Sequence, residues 1–420
     1  MRVAEGAEGG TGMPDWIGAA EAAEQLGIKQ ASLYSYVSRG VLTRRTGPDG
    51  RASLFDPGEV QVLARRGRPR RAPGAAELVI ETSLTEIAGG RLWYRGHDAT
   101  MLAASRTFEE VAGLLWTGSL GAAGPASWRA TDEAIAAGTA AQAALPAGTL
   151  PLERLQVIVP ALAATDPLRL QLDPPAVVAA ARGLIAGLVD CLPVAGRGSR
   201  AGATAGGSSV AARLAGRLCP HSQTPELTDT IRAALVLLAD HELAASTLAA
   251  RVAASVRADP YAVVATGLGA VGGALHGGAS LGAELMLASA GRPADAPRVV
   301  GELLRRGERI PGFGHFVYET GDPRAVKLLS MVTDLAPDSP RLAVANAVLA
   351  EARRRALPEP NIDFALAAMA DVAGLIRGAG EAVFAVARSA GWLAHALEEY
   401  ARKTPIRPRA IYTGPPRQPS

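Results

Sequence analysis

Alanine and leucine recur with helical spacing along most of the chain from Leu78 onward, in segments that glycine and proline interrupt. This spacing predicts a series of helices. The helical spacing is clearest in three segments: FEEVAGLLWTG, the residues from Ala126 to Leu192, and the long run IRAALVLLADHELAASTLAARVAAS. LVIETSLTEIAGGRLWYRGHDA instead favours short strands, and the low-complexity residues 194–209 predict a mobile loop. The body of the chain is therefore predicted to be mainly α-helical.

The front of the chain has a different pattern. Residues 1–14 are rich in glycine and glutamate without periodicity, so we expect them to be disordered. AAEAAEQLG and ASLYSYVSRG then predict two short helices that each end at a glycine. LTRRTGPDGRASLF predicts a β-hairpin, and Asp56 with Pro57 has the residue types typical of the start of a third helix. We expect residues 15–66 to form a small separate domain.

This small domain resembles the winged helix-turn-helix domain of the MerR and excisionase type. The resemblance implies that its second helix faces the major groove of DNA while hairpin arginines contact phosphates. The residues implied to contact DNA are Gln30, Ser32, Tyr34, Ser35, Arg44, Arg45 and Arg51. A domain kept for dimerisation or docking is the alternative. Residues 67–77 form a basic Pro/Gly linker, so DNA binding would involve residues 15–71, with the linker either a minor-groove hook or a solvated spacer.

Charge supports a local role for the front of the chain. The net charge is +3, but residues 29–71 carry ten basic and three acidic side chains, which leaves −4 for the remainder. The chain has two cysteines, which indicate a reducing, cytoplasmic compartment. The uncharged run from Tyr261 to Ala283 contains seven glycines, so we predict a buried helix and loop and no membrane span.

Four separate stretches carry residues suited to catalysis. RIPGFGHFVYETGDPR places His315 between glycine-rich turns and puts Arg324 behind a proline, where a guanidinium suits a carboxylate. His241 is predicted to lie within an apolar helix, His276 follows a glycine-rich helix, and Asp363 lies in PNIDF. No spacing of histidine or cysteine is typical of a metal site. Three histidines, one carboxylate and arginines suit proton removal beside a carbonyl with polarisation of two carbonyls.

The motifs LHGGAS, GFGHFVY with GDPRA, PNIDF, and ARSAGWLAHALEE with RPRAIYTG are similar, in this order across residues 78–415, to those of the citrate synthase family. The resemblance implies a two-domain, all-helical body. Its large domain would comprise residues 78–276 and 369–420, and its small domain, residues 277–368, would close over it. The resemblance also implies a homodimer that uses acyl-CoA as a co-substrate, with no permanently bound cofactor and no metal.

The same resemblance implies a role for each residue of the four stretches. His276 would stabilise the enol of the acyl-CoA thioester, Asp363 would take its α-proton, and His315 would polarise the ketone of a 2-oxo acid. The side chains implied to bind the oxo acid are His241, Arg324, Arg388 and, from the neighbouring subunit, Arg407. The residues implied to hold the adenine end of coenzyme A are Ile310, Pro311, Gly312, Phe313 and Gly314.

Three positions depart from the family pattern. Ala244 stands where the family usually has asparagine, and Phe316 and Glu319 stand where many members have basic side chains near the coenzyme A phosphates. We therefore carry two hypotheses. In the first, the protein is an enzyme that condenses acetyl-CoA or propionyl-CoA with oxaloacetate or a related 2-oxo acid. In the second, it is a DNA-binding regulator whose citrate synthase-like body senses a metabolite.

Overall fold

The structure is a computed structural model. It describes residues 16–26, 28, 30–38, 41–47, 52–65, 79–121, 128–196, 208–273, 276, 278–402, 404–409 and 414. The chain divides into two compact units, Met1–Ile80 and Glu81–Ser420, and each is described by itself. The predictions for residues 1–14, for Arg51, for the linker at residues 67–77 and for most of the low-complexity stretch lie outside the described residues. The division into large and small domains stays a prediction.

The first unit contains the predicted helices and hairpin strands. Its elements are β1 (Ile17–Gly18), α1 (Ala19–Leu26), α2 (Gln30–Ser38), β2 (Arg44–Thr46), β3 (Ser53–Phe55) and α3 (Pro57–Arg65). The strands form an antiparallel sheet in the order β1-β3-β2. β1 is too short to have a periodicity, and the sequence did not predict it. Asp56 caps α3 through a 2.7 Å hydrogen bond from the Gly58 N–H, while Leu33 and Phe55 are fully buried in the small core.

A three-stranded antiparallel sheet opens the second unit, where the strand-prone stretch was predicted. It consists of β4 (Thr85–Ala88), β5 (Arg91–Tyr94) and β6 (His97–Asp98). The side chain of Tyr94 is fully buried, and its hydroxyl lies 3.1 Å from the carbonyl oxygens of both Leu237 and Asp240. These two hydrogen bonds attach the sheet to the C-terminal end of helix α10 (Pro225–Leu238).

Helices make up most of the rest of the second unit. They are α4 (Ala99–Ser105), α5 (Phe108–Thr117), α6 (Asp132–Gln142), α7 (Pro151–Thr165), α8 (Pro174–Asp190), α9 (Val210–Leu218), α10 (Pro225–Leu238), α11 (Ala245–Ser255), α12 (Pro260–Val271), α13 (Gly278–Ser289), α14 (Ala296–Arg305), α15 (Pro323–Leu335), α16 (Pro340–Arg354), α17 (Ile362–Val372) and α18 (Ala379–Ala401), with a short 3-10 helix at Pro293–Asp295. Many begin with a polar cap followed by proline, because proline tolerates the first turn, where no N–H partner is needed.

Helix α18 is the centre of the second unit. Most of its residues are buried, and it packs against α5, α7, α8, α10, α11 and α12. Its alanines allow close approach of the surrounding helices, which are themselves rich in alanine and leucine. Among the described residues, no helix is long and apolar enough to cross a membrane. The glycine-rich run predicted to be a buried helix and loop contains α12 and the first part of α13.

The prediction of one continuous helix through His241 is wrong. α10 ends at Leu238, α11 begins at Ala245, and Glu242 between them has a left-handed backbone with φ 54°. Arg388 stabilises the break, because its Nε donates a 2.8 Å hydrogen bond to the Leu238 carbonyl at the end of α10. Apolar residues continue on both sides of the break, so periodicity alone did not reveal it. His241 consequently lies at a helix end.

Candidate active site

His241 and His315 lie side by side, although 74 positions separate them. Their ring centroids are 5.2 Å apart with the rings nearly perpendicular. Tyr318 contacts both: its hydroxyl lies 3.0 Å from His241 Nε2, and its ring centroid is 4.7 Å from that of His315. The break between α10 and α11 and the loop before α15 therefore bring together two of the predicted site residues.

The loop that carries His315 is fixed to the start of α17. Asn361 donates from its backbone N–H to the Gly312 carbonyl at 2.9 Å and from Nδ2 to the Gly314 carbonyl at 2.8 Å. Gly312 has φ 81°, and a Cβ there would lie 2.7 Å from the Cβ of Phe364. Only glycine combines this conformation with so close a contact. The loop is thus held against the first turn of α17, which contains Asp363.

Arg324 forms a buried, bidentate ion pair with Asp322. Its Nε lies 2.9 Å from Oδ1 and its Nη2 lies 2.8 Å from Oδ2, and both side chains are at most 2% exposed. Asp322 also accepts a 3.0 Å hydrogen bond from the Ile362 N–H. The sequence predicted that the Arg324 guanidinium binds a substrate carboxylate. In the structure, its Nε and Nη2 donate to Asp322 instead. Asp322 was not predicted as the partner of Arg324, although its position at the start of α15 places its carboxylate close to Arg324.

Arg388 projects from the middle of α18 into the same region. It is 1% exposed, and its Nη1 is buried without a hydrogen-bond partner among the described residues. Its guanidinium carbon lies 4.7 Å from the ring centroid of Phe384, and the same ring lies 5.7 Å from that of His276. Burial lowers the pKa of Arg388 to about 10. A buried cation with an unused donor is suited to an anionic ligand.

Ser246 fixes the orientation of His276. The Ser246 hydroxyl lies 2.8 Å from His276 Nε2 and accepts a 3.3 Å hydrogen bond from Trp392 Nε1. Because the indole N–H can only donate, the hydroxyl proton is available to His276 Nε2. We assign the proton of this imidazole to Nδ1 on that basis. Ser246 was not predicted, because nothing in the sequence ELAAST marks its serine as the partner of a histidine 30 residues later.

The titratable groups of the site have strongly perturbed pKa values. Burial raises the pKa of Asp363 to about 7, with Asp322 adding to the rise against the opposing effect of the two arginines. Burial lowers the pKa of both His276 and His315 to about 4, assisted by the neighbouring arginine charges. Burial likewise holds the pKa of His241 well below its usual value. At neutral pH the three imidazoles are therefore uncharged, and Asp363 is poised to exchange a proton.

The arrangement combines a base of pKa about 7, neutral imidazole donors and two buried guanidinium groups. Such a base can remove a weakly acidic C–H proton only where donors stabilise the negative charge that develops on oxygen. Within the described part of the chain, no group of three or more His, Cys, Asp or Glu side chains is placed to hold a metal ion. The geometry supports proton abstraction beside a carbonyl.

Comparison with known proteins agrees with this chemistry. The profile of the family described as citrate synthase, C-terminal domain, matches residues 75–409. The chain belongs to the citrate synthase family. It is 32% identical to citrate synthase 2 of Bacillus subtilis over 370 residues, which cover 80% of this chain and 94% of that protein. It is 28% identical to 2-methylcitrate synthase of Mycobacterium tuberculosis over 372 residues, covering 83% and 91%.

A solved structure gives the same result for the fold. The citrate synthase of Thermoplasma acidophilum, in a ternary complex with carboxymethyl coenzyme A and oxaloacetate, superposes with a TM-score of 0.67. The two chains are 26% identical, and the match covers 82% of this chain and 96% of that one. The mainly helical citrate synthase fold and an enzyme of the citrate synthase type are thereby confirmed.

The remaining residues predicted for this site differ in their burial. Ile310 is buried, and Pro311 and Phe313 are half-buried in the loop before His315. Arg407 is exposed in the segment after α18 and forms no hydrogen bond with a described residue. Phe316 is 91% exposed, and Ala244 precedes α11 without a side-chain cap.

The first unit presents two of its predicted DNA contacts next to aromatic rings. The guanidinium carbon of Arg45 lies 4.5 Å from the centroid of Trp16, and that of Arg44 lies 5.8 Å from the centroid of Tyr34. Both arginines are exposed on β2, and Gln30 is exposed at the start of α2. Ser32 is half-buried, while the side chain of Ser35 lies outside the described residues. The family match begins at residue 75, after α3, the last helix of this unit.

Proposed function

We propose that the enzyme condenses acetyl-CoA or propionyl-CoA with oxaloacetate or a related 2-oxo acid and releases free coenzyme A. The observation that carries this proposal is the geometry of the site: Asp363 lies in the first turn of α17, Asn361 binds that turn to the loop of His315, and His315 lies beside His241 and Arg324. Burial raises the pKa of Asp363 to about 7 and leaves His276 and His315 uncharged at neutral pH. Such a base and such donors suit a substrate whose α-proton is only weakly acidic. The solved relative that binds carboxymethyl coenzyme A and oxaloacetate together supports the same pair of ligand types.

The first step is enolisation of the thioester. Asp363 takes the α-proton, and the electron pair of the broken C–H bond moves onto the thioester oxygen. His276 donates a hydrogen bond from Nδ1 to that oxygen, which follows from the contact of its Nε2 with Ser246. If the predicted small domain closes over the large one, the exclusion of water would strengthen the action of both groups.

The second step forms the carbon–carbon bond. The Val317 N–H donates to His315 Nδ1 at 3.0 Å, so the proton of this neutral imidazole lies on Nε2 and is available to the ketone oxygen. Arg324 Nη2 lies 3.4 Å from Nε2, a longer contact that leaves this assignment in place. The enol carbon attacks the ketone carbon, and the ketone oxygen gains a proton. Water then cleaves the C–S bond of the new thioester and releases the coenzyme A thiol.

The arginines are proposed to hold the carboxylates of the oxo acid. Arg388 offers its unpartnered Nη1, and Arg324 offers the edge of its guanidinium that Asp322 leaves unused. His241 would add a hydrogen bond, and Arg407 would come from the neighbouring subunit of a homodimer. The backbone from Ile310 to Gly314 would receive the adenine end of coenzyme A, with Glu319 as an unfavourable charge near its phosphates.

Release of thiol tests this proposal. Acetyl-CoA and propionyl-CoA are each incubated with oxaloacetate and with other 2-oxo acids, and free thiol is measured. We expect release that requires both substrates, with one acyl-CoA preferred. A single methylene in a pocket is worth about tenfold or more in discrimination, so the panel resolves the preference. If no pair released thiol above the rate without enzyme, the proposal would be wrong.

A second function is proposed for the first unit, which we infer to bind DNA. The supporting observation is the exposed pair Arg44 and Arg45 on β2, each placed over an aromatic ring. A cation held over a ring keeps the N–H groups at its edge free for phosphate oxygens. The basic surplus of residues 29–71 agrees with this function. The salt dependence of DNA binding tests this function.

A further inference from the structure

A cavity of about 430 Å³ lies between the loop before α7, the end of α9 and the turn before α18. Fourteen residues line it, of which three are arginines, Arg154, Arg217 and Arg377, and none is acidic. We call it the arginine cavity. Most of the other lining residues are apolar, among them Leu192 and Ile376. None of the residues assigned above to condensation lines it, so it is separate from the candidate active site.

The three arginines keep their positive charge available. Arg154 donates at 3.2 Å to two backbone carbonyls and to the side-chain oxygen of Gln142, so its position is fixed by neutral partners. Arg217 donates to the Leu192 carbonyl at 2.6 Å, and burial lowers its pKa. Arg377 is exposed and donates no hydrogen bond to a described residue. Three cations without a carboxylate partner in the wall make the cavity positive.

The carboxylate of Glu153, next to the wall residue Arg154, accepts the Leu150 N–H at 2.7 Å in the capping box of α7. Two further carboxylates near the wall have partners elsewhere. Asp190 interacts with Arg217 through space but forms its ion pair with Arg213. Glu284 lies near Arg377 but accepts two backbone N–H groups at the start of α18, at 2.8 and 3.0 Å. Neither carboxylate lines the cavity. An anion that enters from solvent therefore meets no intramolecular competitor at the wall.

We propose that the arginine cavity binds a phosphate monoester with an apolar body. Guanidinium groups suit phosphate oxygens because they offer paired N–H donors, and partial burial strengthens the attraction. The apolar wall suits the body of the ligand, and the volume lies within the range of small-molecule sites. α7 also begins at the wall, at Pro151, but the Glu153 carboxylate caps its first turn, so the positive field of the cavity comes from the arginines.

The test uses the full chain with 1-naphthyl phosphate as the probe, measured by titration calorimetry at low ionic strength. Inorganic phosphate and 1-naphthol, each a half of the probe, are titrated in parallel. We expect the whole probe to bind more tightly than either half. Arg377→Gln should weaken it about tenfold or more, the usual scale for losing a charge-assisted hydrogen bond. Arg353→Gln, at an exposed arginine of α16 outside the cavity, is the matched control and should bind as the natural chain does.

Ala147→Trp gives an independent test, because Ala147 is exposed in the loop before α7 and a large ring there would fill the cavity without disturbing the core. It should abolish binding of the probe while the far-ultraviolet circular dichroism and the melting temperature stay unchanged. Equal binding by Ala147→Trp and the natural chain would place the probe elsewhere and overturn the proposal. So would the absence of saturable binding to the natural chain, or equal affinity for inorganic phosphate and the whole probe.

Discussion

Asp363 is the residue whose ionisation connects the structure to the rate. Its carboxyl lies at the first turn of α17, where burial raises its pKa to about 7 and Asp322 contributes a further rise. Only the ionised form accepts a proton. His276 and His315, with pKa values of about 4, keep one protonation state from pH 6 to 8. Burial also raises the pKa of Glu381 to about 7, and its charge interacts with that of Asp363. The pH dependence near neutrality should therefore report Asp363 together with Glu381, and the Asp363→Asn variant separates the two.

Asp363→Asn should lower turnover by about a hundredfold or more, the usual scale for loss of a general base, while oxo-acid binding is retained. In the natural enzyme kcat/KM should rise with pH through a midpoint near 7, because the ionised fraction of Asp363 rises there. Initial rates of thiol release between pH 5 and 9 measure both effects. Normal turnover in the variant, or a profile flat across pH 7, would remove Asp363 from this role.

The same residue predicts a change in stability with pH. A carboxyl whose pKa is raised in the folded state favours folding while protonated, and that contribution is lost as pH rises from the unfolded value of 3.8 through about 7. Asp363→Asn removes the buried negative charge, so it should raise the melting temperature at pH 8 and change it least near pH 4. Calorimetric scans at both pH values test this. An equal shift at the two values would contradict the buried charge.

The two histidines proposed to act in catalysis, His276 and His315, should differ in binding experiments. His315→Ala and His276→Ala should both lower turnover. Only His315→Ala should also weaken the binding of oxaloacetate, because His315 lies beside His241 and Arg324. Titration calorimetry with oxaloacetate alone measures the difference. His221→Ala, at an exposed histidine, is the control and should leave both quantities unchanged. Equal oxaloacetate affinity in the two variants would contradict the division of roles.

At the scale of elements, the loop from Ile310 to Asp322 and the first turn of α17 act as one piece. Hydrogen bonds between Asn361 and the carbonyls of Gly312 and Gly314 hold the two segments together. The segment that presents His315 is thereby fixed to the segment that presents Asp363. A change in the loop should therefore alter the positions of both His315 and Asp363.

Gly312→Ala tests this coupling. The new Cβ would lie 2.7 Å from Phe364 Cβ at a left-handed φ of 81°, so the loop must move away from α17. We expect a loss of roughly 1–3 kcal/mol in stability and a fall in kcat. Gly307→Ala is the matched control, because φ there is 72° with open space around the new Cβ, so it shows the cost of conformation alone. Equal effects of the two substitutions on kcat would contradict the coupling.

The sequence predicted more at some elements than at others, for physical reasons. Helix starts such as Asp56 with Pro57 were predictable, because capping is a local interaction. The break at Glu242 was not, because the apolar pattern continues through it and the interaction that stabilises it comes from Arg388, 146 residues later. Residues of the site were found through motifs, whereas partners that approach from distant segments, such as Ser246, left no local signal.

At the scale of the whole molecule, two compact units have different charge. The basic surplus of residues 29–71 contrasts with the net −4 of the remainder. Binding to an acidic polymer is a function that a small basic unit can supply by itself. If the predicted homodimer forms, it carries two copies, so paired half-sites on DNA would follow from its symmetry.

Salt dependence decides whether the first unit binds DNA. Mobility shifts with a library of genomic fragments should show retention that weakens steeply with salt, because each neutralised phosphate releases counterions. Arg44→Ala and Arg45→Ala should each reduce the slope of log K against log salt by about one, since both side chains are exposed on β2. Arg298→Ala, at an exposed arginine of the other unit, should leave the slope unchanged. If no fragment were retained at about 50 mM salt, where phosphate contacts are strongest, the unit would not bind DNA and dimerisation or docking would be its remaining role.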